Sequence, residues 1–480
     1  MIRTNIKNNI LYIVLAVSAF AFNACKTPAI VGKTANNGLP VSYSASQDTT
    51  NSAKVRWKTF FADPYLNALI DTALQNNQEL NITMQEIEMS KNEIMARRGE
   101  YLPFVRLGGG TGVDKVSRYT SKGASDEITE IKPGKRTPVV LPDSYFGAFA
   151  SWEVDIWHKL RNAQKVAATN YLGTIEGKNF LITNIVAEIA NSYYELLALD
   201  NQLDIVKKNI EILNSALLII KQEKEAAKVT ELAVQRFEAE VFKTQSLQYD
   251  IQQRIVETEN RINFLVGRFP KPVLRSSQQF ATLLPTKISA GLPAQLLEKR
   301  PDIRRAELSI EAAKLNVSVA KANFYPSLGL SASLGFRSFN PLMLANIPQS
   351  LIMSLAGDLA GPLINKNAIT ATYKNANAKQ IQAVYDYEKT VLNAFIEVTN
   401  QLSNIQNLEK SYTMKNNQVE ALTKSTEISL KLFKAARADY MEVLLTQRDV
   451  LDSRMELVET RMKQMNAFVN AYRALGGGWN

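Results

Sequence analysis

The sequence predicts a mixed α/β membrane protein in which long coiled-coil helices are joined to amphipathic β-strands, built by duplication of one unit. Three observations predict this class: an internal repeat, two long stretches without helix breakers, and four short segments with a period of two. Residues 101–112 return as residues 324–335, with proline, leucine and glycine in the same register. Further along, Asp155 recurs as Asp358 within a set of positions at one constant offset. Such a chain is interpreted as two copies of one long unit.

The long helices are predicted from the absence of breakers. Neither Gly nor Pro occurs between Gly177 and Gly267, or between Pro362 and Gly476, which is typical of helix. Apolar residues recur every seven positions in both stretches, and this period predicts left-handed coiled coils. Each helix would measure about 100 Å, far more than the roughly 30 Å of a bilayer, so we expect it to stand in water. The predicted bounds are 162–227 and 365–434.

Shorter helices are predicted on both sides of each long helix. The first begins at Asp63-Pro64, which resembles an N-cap followed by proline at the first helical position. Laid end to end, the two short helices of one copy would match the length of its long helix. The predicted short helices are 64–100 and 230–266 in the first copy, and 293–323 and 440–473 in the second.

Four segments of about ten residues alternate between apolar and polar side chains, two in each copy. This length and period suit the strands of a membrane β-barrel, which have about 9 to 11 residues. Two ordinary hairpins resting on helices would show the same pattern, and periodicity alone does not exclude them. The candidate membrane-facing residues are Leu328, Leu330, Leu334, Phe336, Leu351, Met353 and Leu355.

The N-terminus predicts export. Residues 1–24 combine a basic start with an apolar run, as a secretory signal peptide does. Cys25, the only cysteine of the chain, follows Ala24 and resembles the acylated residue of a bacterial lipobox. Phe22 and Asn23 depart from the usual residues of that motif, and the alternative is a plain signal peptide with an incidental cysteine. Several lipid chains would anchor the protein firmly.

Four strands cannot stand alone in a bilayer, because open sheet edges are not tolerated in hydrocarbon. Several copies must therefore contribute to one barrel. Two copies would give eight strands and a filled interior, whereas three would give twelve strands and a lumen. Three copies are favoured, although geometry alone leaves a dimer and a tetramer open.

A set of motifs follows one another along the chain: 57–64, 152–157, Arg300-Pro301-Asp302-Ile303, Phe324-Tyr325-Pro326-Ser327 and 474–479. Through these motifs the sequence resembles the TolC-like outer-membrane factor family, most closely its lipoprotein branch, which works with resistance-nodulation-division efflux pumps. The resemblance implies a homotrimer with a twelve-stranded outer-membrane β-barrel, continued by an α-helical barrel across the periplasm. It further implies a periplasmic adaptor and an inner-membrane transporter as partners, no catalysis and no cofactor.

The resemblance also suggests a gate at the helix tip remote from the membrane. The family often has two acidic residues there, and in this chain Glu442 keeps the first while Leu445 replaces the second. Three Glu442 carboxylates around one axis would form an anionic ring that favours cations. Arg437 and Asp439 lie one turn away and would link neighbouring helices. The alternative is that all three are solvated helix-end charges of little energetic weight.

Other chemistry is weakly indicated. One histidine and one cysteine make no metal site, and no nucleophile with a base, P-loop or dinucleotide motif stands out. The net charge of +10 comes from scattered lysines, which argues against nucleic acid as a partner. Three alternatives to the exit duct of an efflux system remain: a coiled-coil periplasmic lipoprotein scaffold, the duct of a type I protein secretion system, and a secreted hydrolase.

These inferences divide the chain into six segments. The signal peptide is expected at 1–24 and a lipidated extended segment at 25–61. The two structural repeats are expected on either side of a proline-containing linker. Their predicted bounds are 62–268 for the first repeat, 269–290 for the linker, 291–475 for the second repeat and 476–480 for the tail.

Overall fold

The structure is a computed structural model. It describes residues 27–479 except 37, 44–49, 278–279, 281–287, 363 and 436. The predicted signal peptide and Cys25 lie outside the described residues. The chain divides into two compact units. The first consists of the residues up to 34 together with 88–171 and 308–384, and the second of 35–87, 172–307 and 385–480.

Helices follow the same order in both copies: two short helices, then a long helix after a pair of strands, then a return helix. This order confirms the predicted duplication. The helices are α1 (Trp57–Phe60), α2 (Pro64–Asn76), α3 (Gln78–Glu100), α4 (Ser121–Ile128), α5 (Lys159–Glu225), α6 (Glu231–Leu265), α7 (Gln295–Lys299), α8 (Pro301–Ala322), α9 (Asn367–Lys434) and α10 (Tyr440–Ala474), with 3-10 turns at Ser52–Lys54 and Pro341–Met343.

The long helices match their predicted extent. Helix α5 has 67 residues and α9 has 68, so each measures about 100 Å at 1.5 Å per residue. The two return helices, α6 and α10, both have 35 residues. In the part of the chain that the structure describes, no helix is both long and apolar enough to cross a membrane.

Four strands of the first unit form an antiparallel sheet in the order β1-β4-β5-β6, and two short ones, β2 and β3, pair separately. Each copy supplies one hairpin, and the two hairpins meet where β4 pairs with β5. Strands β1 and β6 therefore form the two edges of the sheet. The strands are β1 (Phe104–Asp114), β2 (Glu130–Lys132), β3 (Lys135–Arg136), β4 (Leu141–Val154), β5 (Ser327–Ser338) and β6 (Leu351–Ala360).

The connection between β1 and β4 is longer than that between β5 and β6, and it contains regular elements. It contains α4, whose start is capped by the Thr120 hydroxyl accepting from the Gly123 N–H at 3.1 Å. It also contains the short β2–β3 hairpin. Neither element can be recognised from sequence, because both are shorter than the windows in which periodicity can be read.

The second unit has an apolar core in which α2, α5, α6 and α10 contribute side chains. Leu66, Ile70 and Ile189 are fully buried there. Asp63 caps α2 by accepting from the Tyr65 N–H at 2.8 Å, as its sequence predicted. The other Asp63 oxygen accepts from the Tyr193 hydroxyl at 2.8 Å, and burial, the largest effect, together with this bond raises the pKa of Tyr193.

The predicted helices 64–100 and 293–323 are each interrupted, at Asn77 and at Arg300. Asn77 donates from Nδ2 to the Leu265 carbonyl at 2.8 Å and accepts from the Leu80 N–H at 3.0 Å. Arg300 donates from Nη1 to the Ala474 carbonyl, also at 2.8 Å. In both copies the interruption therefore binds the C-terminus of the return helix, whose last carbonyls lack partners within the helix.

A glycine follows each of these helix ends, and its conformation is required by the junction. Gly267 has φ +72° and Gly476 has φ +89°, in the left-handed region that favours glycine. A Cβ at Gly267 would lie 2.3 Å from the Asn76 carbonyl oxygen, and one at Gly476 would lie 2.7 Å from that of Lys299. The two junctions are therefore structural equivalents.

The recurrence of Asp155 as Asp358 does not reflect structural equivalence. Asp155 follows β4 and accepts from the Leu160 and Arg161 N–H groups at the start of α5. Asp358 lies inside β6, opposite Gly329. The inferred equivalence of Asp155 and Asp358 was wrong, because a few matching residue types in different elements can recur by chance. The hydrogen-bond register of the strands shows which positions of the two copies are structurally equivalent.

Candidate functional site

The seven predicted membrane-strand residues lie on one face of the sheet. Phe336 is opposite Phe146 and Leu351, and Leu334 is opposite Met353. Because directly opposed residues point to the same side of a sheet, the register joins the alternating positions of all four strands into one apolar face. In a single chain this face is open: Leu334 is 55% exposed, and Met353 and Leu355 are each 81% exposed. The complete set of predicted residues on it is Leu328, Leu330, Leu334, Phe336, Leu351, Met353 and Leu355.

The opposite face of the same sheet carries serine, glycine and charged residues. Gly147 and Gly335 oppose each other at its centre. A Cβ at Gly147 would lie 2.8 Å from the Cα of Gly335, so the strands approach too closely for larger residues. Glycine at such positions lets a sheet bend towards its small-residue side. The polar face is thus suited to the concave, lumen side of a barrel.

Aromatic and cationic groups cluster on this polar face near β1. The Tyr145 and Phe149 rings of β4 make an edge contact with 6.0 Å between centroids. The Arg106 guanidinium lies 5.0 Å from the Phe149 centroid, within the range of a cation–π interaction. Arg337 donates from Nε to Asp143 Oδ1 at 2.9 Å. This cluster could not be recognised from sequence, because its members come from three strands.

The two helix tips differ in what holds them together. In the first copy the tip between α5 and α6 closes over an apolar cluster. Lys221 of α5 also pairs with Glu238 of α6 at 2.7 Å. The cluster consists of Leu213, Ile220, Ala233, Val234, Phe237 and Val241 with Leu444 of the second copy.

In the second copy hydroxyl groups join α9 to α10 near the tip. Ser429 and Thr446 share a hydrogen bond of 3.0 Å between their side chains, and Thr426 donates to the Thr446 carbonyl at 3.3 Å. Gln447 is 4% exposed, and neither amide atom of its side chain has a hydrogen-bond partner among the described residues. A buried amide without partners costs free energy, so Gln447 weakens the contact between α9 and α10.

The structure places the three predicted gate residues at the start of α10. Asp439 is its N-cap residue, and its carbonyl accepts from the Glu442 N–H at 3.1 Å. Glu442 is exposed in the first turn, where the helix dipole favours an anion. The Arg437 N–H donates to the Leu432 carbonyl at 2.9 Å. Within the described residues, no ion pair joins Arg437 to either carboxylate.

The described N-terminal segment follows α9. In the first unit Ile30 packs on Phe324 and Tyr373, and the Val31 carbonyl accepts from Asn377 Nδ2 at 3.0 Å. In the second unit Tyr43 stacks on Phe395 with 5.4 Å between the ring centroids. The sequence indicated an irregular segment draped over the body, and its polar composition gave no sign of these specific contacts.

Metal ligation has no support in the described parts of the chain. No group of three or more histidine, cysteine, aspartate or glutamate residues is placed to hold a metal ion there. The strand faces and the helix tips are therefore the two features from which a function is argued.

Comparison with curated proteins gives full-length similarities. The chain is 25% identical over 446 residues to the cation efflux system protein CusC of Escherichia coli O6:H1, covering 92% of this chain and 93% of that protein. It is 26% identical over 424 residues to the pyoverdine export outer membrane protein OpmQ of Pseudomonas putida, covering 88% of each. It is 27% identical over 436 residues to the toluene efflux pump outer membrane protein TtgI of Pseudomonas putida, covering 90% of each.

Solved structures have the same fold. A crystal structure of CusC superposes with a TM-score of 0.82 at 23% identity, covering 94% of this chain and 99% of that one. The open state of the MtrE outer membrane channel of Neisseria gonorrhoeae superposes with a TM-score of 0.82 at 20% identity, covering 95% of this chain and 98% of that one. The four-stranded sheet, the long helices and the duplication are thus those of outer-membrane channels, as the sequence predicted.

The family model described as outer membrane efflux protein matches this chain twice, over residues 69–268 and 292–477. The two matches correspond to the two copies that the sequence and the helix order show. The family consists of outer-membrane channel proteins, not enzymes. The chain therefore belongs to the outer membrane efflux protein family, and its function is that of an outer-membrane channel of an efflux system.

Proposed function

We propose that three copies of this chain form one passive exit duct. Its twelve strands line a pore through the outer membrane, and its helices continue the pore into the periplasm. The observation that carries this proposal is the sheet, which exposes a mostly apolar face while its two edge strands, β1 and β6, have no further strand beside them in the described part of one chain. In lipid such a sheet is stable only as part of a closed barrel.

The duct receives its cargo from an inner-membrane transporter of the resistance-nodulation-division type through a periplasmic adaptor. The relatives support this arrangement because TtgI is described as the outer membrane protein of a toluene efflux pump. A scaffold lipoprotein would leave the exposed apolar strand face without a role. The names of the relatives refer to different cargoes: cations, pyoverdine and toluene.

The gate belongs to the second copy. Its tip is joined by hydroxyl groups and contains the unpartnered amide of Gln447, whereas the first tip closes over an apolar cluster. Of the two, the second separates at lower cost, because hydroxyl groups and the amide of Gln447 join α9 to α10 there, while its Leu444 packs on the cluster of the first tip. Glu442 lies on that second tip, and three copies would place three carboxylates around the axis.

Ion conductance in planar bilayers tests the duct and the gate together. We expect the native protein to form cation-preferring pores. Glu442→Gln should lower the preference for potassium over chloride about fivefold, because three carboxylates about 10 Å from the axis contribute about 1 kcal/mol in water. The reversal potential under a KCl gradient measures this preference.

Glu231→Gln is the matched control, because Glu231 occupies the first turn of α6 in the first copy and pairs with Lys224. It should leave the reversal potential unchanged. An unchanged potential in Glu442→Gln would remove Glu442 from the gate. Absence of any conductance from native trimers would overturn the duct itself.

The chain is anchored through acylated Cys25. Five residues further along the chain, Ile30 packs against Phe324, three residues before β5. Lipid attached at Cys25 would thus enter the leaflet beside the strands. Cys25→Ser should abolish metabolic labelling with palmitate, while Ser42→Cys, made in the Cys25→Ser chain, should not restore it. A native protein that takes up no label, or a labelled Cys25→Ser protein, would refute the anchor.

A further inference from the structure

The two edge strands of the sheet are built to pair with each other between copies. Strand β1 runs away from the helices and β6 runs back towards them, so the two edges would meet antiparallel around a closed barrel. Both edge strands are almost wholly exposed in one chain. Long exposed edges of this kind are templates for a further strand.

The repeat fixes the register of this pairing. Phe104 opens β1 opposite Ser151, and Ser327 opens β5 opposite Ala360. Within each hairpin, Ser327 therefore takes the place of Phe104, and Ala360 takes the place of Ser151. The inner seam of the chain, between β4 and β5, then shows how one copy of the unit meets the next.

At that inner seam Ser151 lies opposite Ser331, the fifth residue of β5. The equivalent pair at the outer seam sets Ala360 of one chain opposite Gly108, the fifth residue of β1, in the next chain. Because the strands are antiparallel, Asp358 then lies opposite Gly110, and Ala356 lies opposite Gly112. This register keeps the apolar positions of β6 and β1 on one face.

The residues that meet in this register are complementary. Asp358 lies on the polar face, is exposed, and has no hydrogen-bond partner within the described part of one chain. Gly110 has no side chain, and the space above it is taken by the Tyr145 ring: a Cβ there would lie 3.2 Å from the Tyr145 hydroxyl oxygen. A carboxylate opposite Gly110 therefore meets a phenol hydroxyl, which can donate to it.

We propose that β6 pairs with β1 of the next copy with Ala356 opposite Gly112, so that Asp358 accepts a hydrogen bond from Tyr145 of that copy. This seam rests on the proposed trimeric duct and adds to it the register and the polar contact that select a second copy of this chain as the neighbour. Three such seams close the barrel.

Cysteine cross-linking tests the register. Ala356→Cys combined with Gly112→Cys should give disulfide-linked oligomers on non-reducing gels, because a Cβ at Gly112 has no atom within 4 Å within its own chain. Each single variant retains Cys25 and controls for it. Ala356→Cys with Gly108→Cys reports a register shifted by four residues and should not cross-link.

The polar contact is tested by the temperature at which trimers dissociate on unboiled gels. Asp358→Asn and Tyr145→Phe should each lower that temperature by about 1–2 °C, and the double variant should lower it no further than either alone. Tyr119→Phe is the control, since Tyr119 is fully exposed, and it should have no effect.

The seam would be overturned, and the duct would stand, if the native trimers conduct ions but Ala356→Cys cross-links with Gly108→Cys, or with neither Gly108→Cys nor Gly112→Cys. Additive effects of the Asp358 and Tyr145 variants would overturn the hydrogen bond between them. A native protein that forms neither trimers nor pores would overturn the duct, and with it the seam.

Discussion

Replacing Arg300 with alanine is expected to destabilise the folded chain by about 3–5 kcal/mol. The Arg300 side chain is 9% exposed and holds two carboxylates, Asp302 at 2.7 Å and Glu397 at 2.8 Å. It also donates to the Ala474 carbonyl at the end of α10. Burial alone would lower the pKa of Arg300, but the hydrogen bonds with the two carboxylates raise it above its ordinary value. Removing the guanidinium leaves Asp302 and the helix end without this partner, whereas Glu397 keeps its ion pair with Arg473 at 2.8 Å.

Unfolding of the purified protein, followed by its helical circular dichroism in urea, measures this loss. Arg304→Ala is the matched control: Arg304 lies one turn further along α8, is 49% exposed and pairs with Glu176 at 3.5 Å. An exposed pair of this kind contributes at most about 1 kcal/mol. Equal effects of the two substitutions would show that the Arg300 junction is not a stabilising contact.

Leu334→Arg is expected to prevent insertion into the outer membrane. Leu334 lies at the centre of β5 on the apolar face. A lipid-facing arginine near the bilayer midplane costs about 2–4 kcal/mol, and a trimer incurs this cost three times. The heat-resistant trimer in the outer-membrane fraction should therefore be lost. Gels of unboiled membrane fractions measure the result.

Ser333→Arg is its control on the neighbouring residue. Ser333 lies on the polar face, where its hydroxyl shares a hydrogen bond of 2.7 Å with the Ser354 hydroxyl. An arginine there would face the lumen, so trimers should still form and only their conductance should change. Loss of trimers with Ser333→Arg but not with Leu334→Arg would mean that the polar face, and not the apolar one, contacts lipid.

The long helices could be predicted closely from sequence. Their expected bounds, 162–227 and 365–434, differ from α5 and α9 by no more than a few residues. A stretch without glycine and proline favours helix along its whole length, so the absence of breakers predicts the helix from local sequence. The alternation of the strands was equally readable, because side chains of successive strand residues point to opposite faces.

The break at Asn77 could not be predicted in the same way, whereas Pro301 disfavours helix at the residue before it and so marks the break at Arg300. Asparagine favours helix ends but does not by itself end a helix, and the break at Asn77 is stabilised by a hydrogen bond to Leu265, which is 188 positions away. The same holds for the difference between the helix tips. Sequence identified Glu442, but only the packed structure shows hydroxyl groups at one tip and an apolar cluster at the other.

The sequence by itself determined the periods of the elements, and with them the residues that share a face. These properties are local, since they follow from backbone geometry over a few residues. The tertiary structure alone decided that Asp358 is not the counterpart of Asp155, that β4 adjoins β5, and that each return helix ends on an interrupted short helix. Those facts depend on hydrogen bonds between residues far apart in the chain, which no local pattern records.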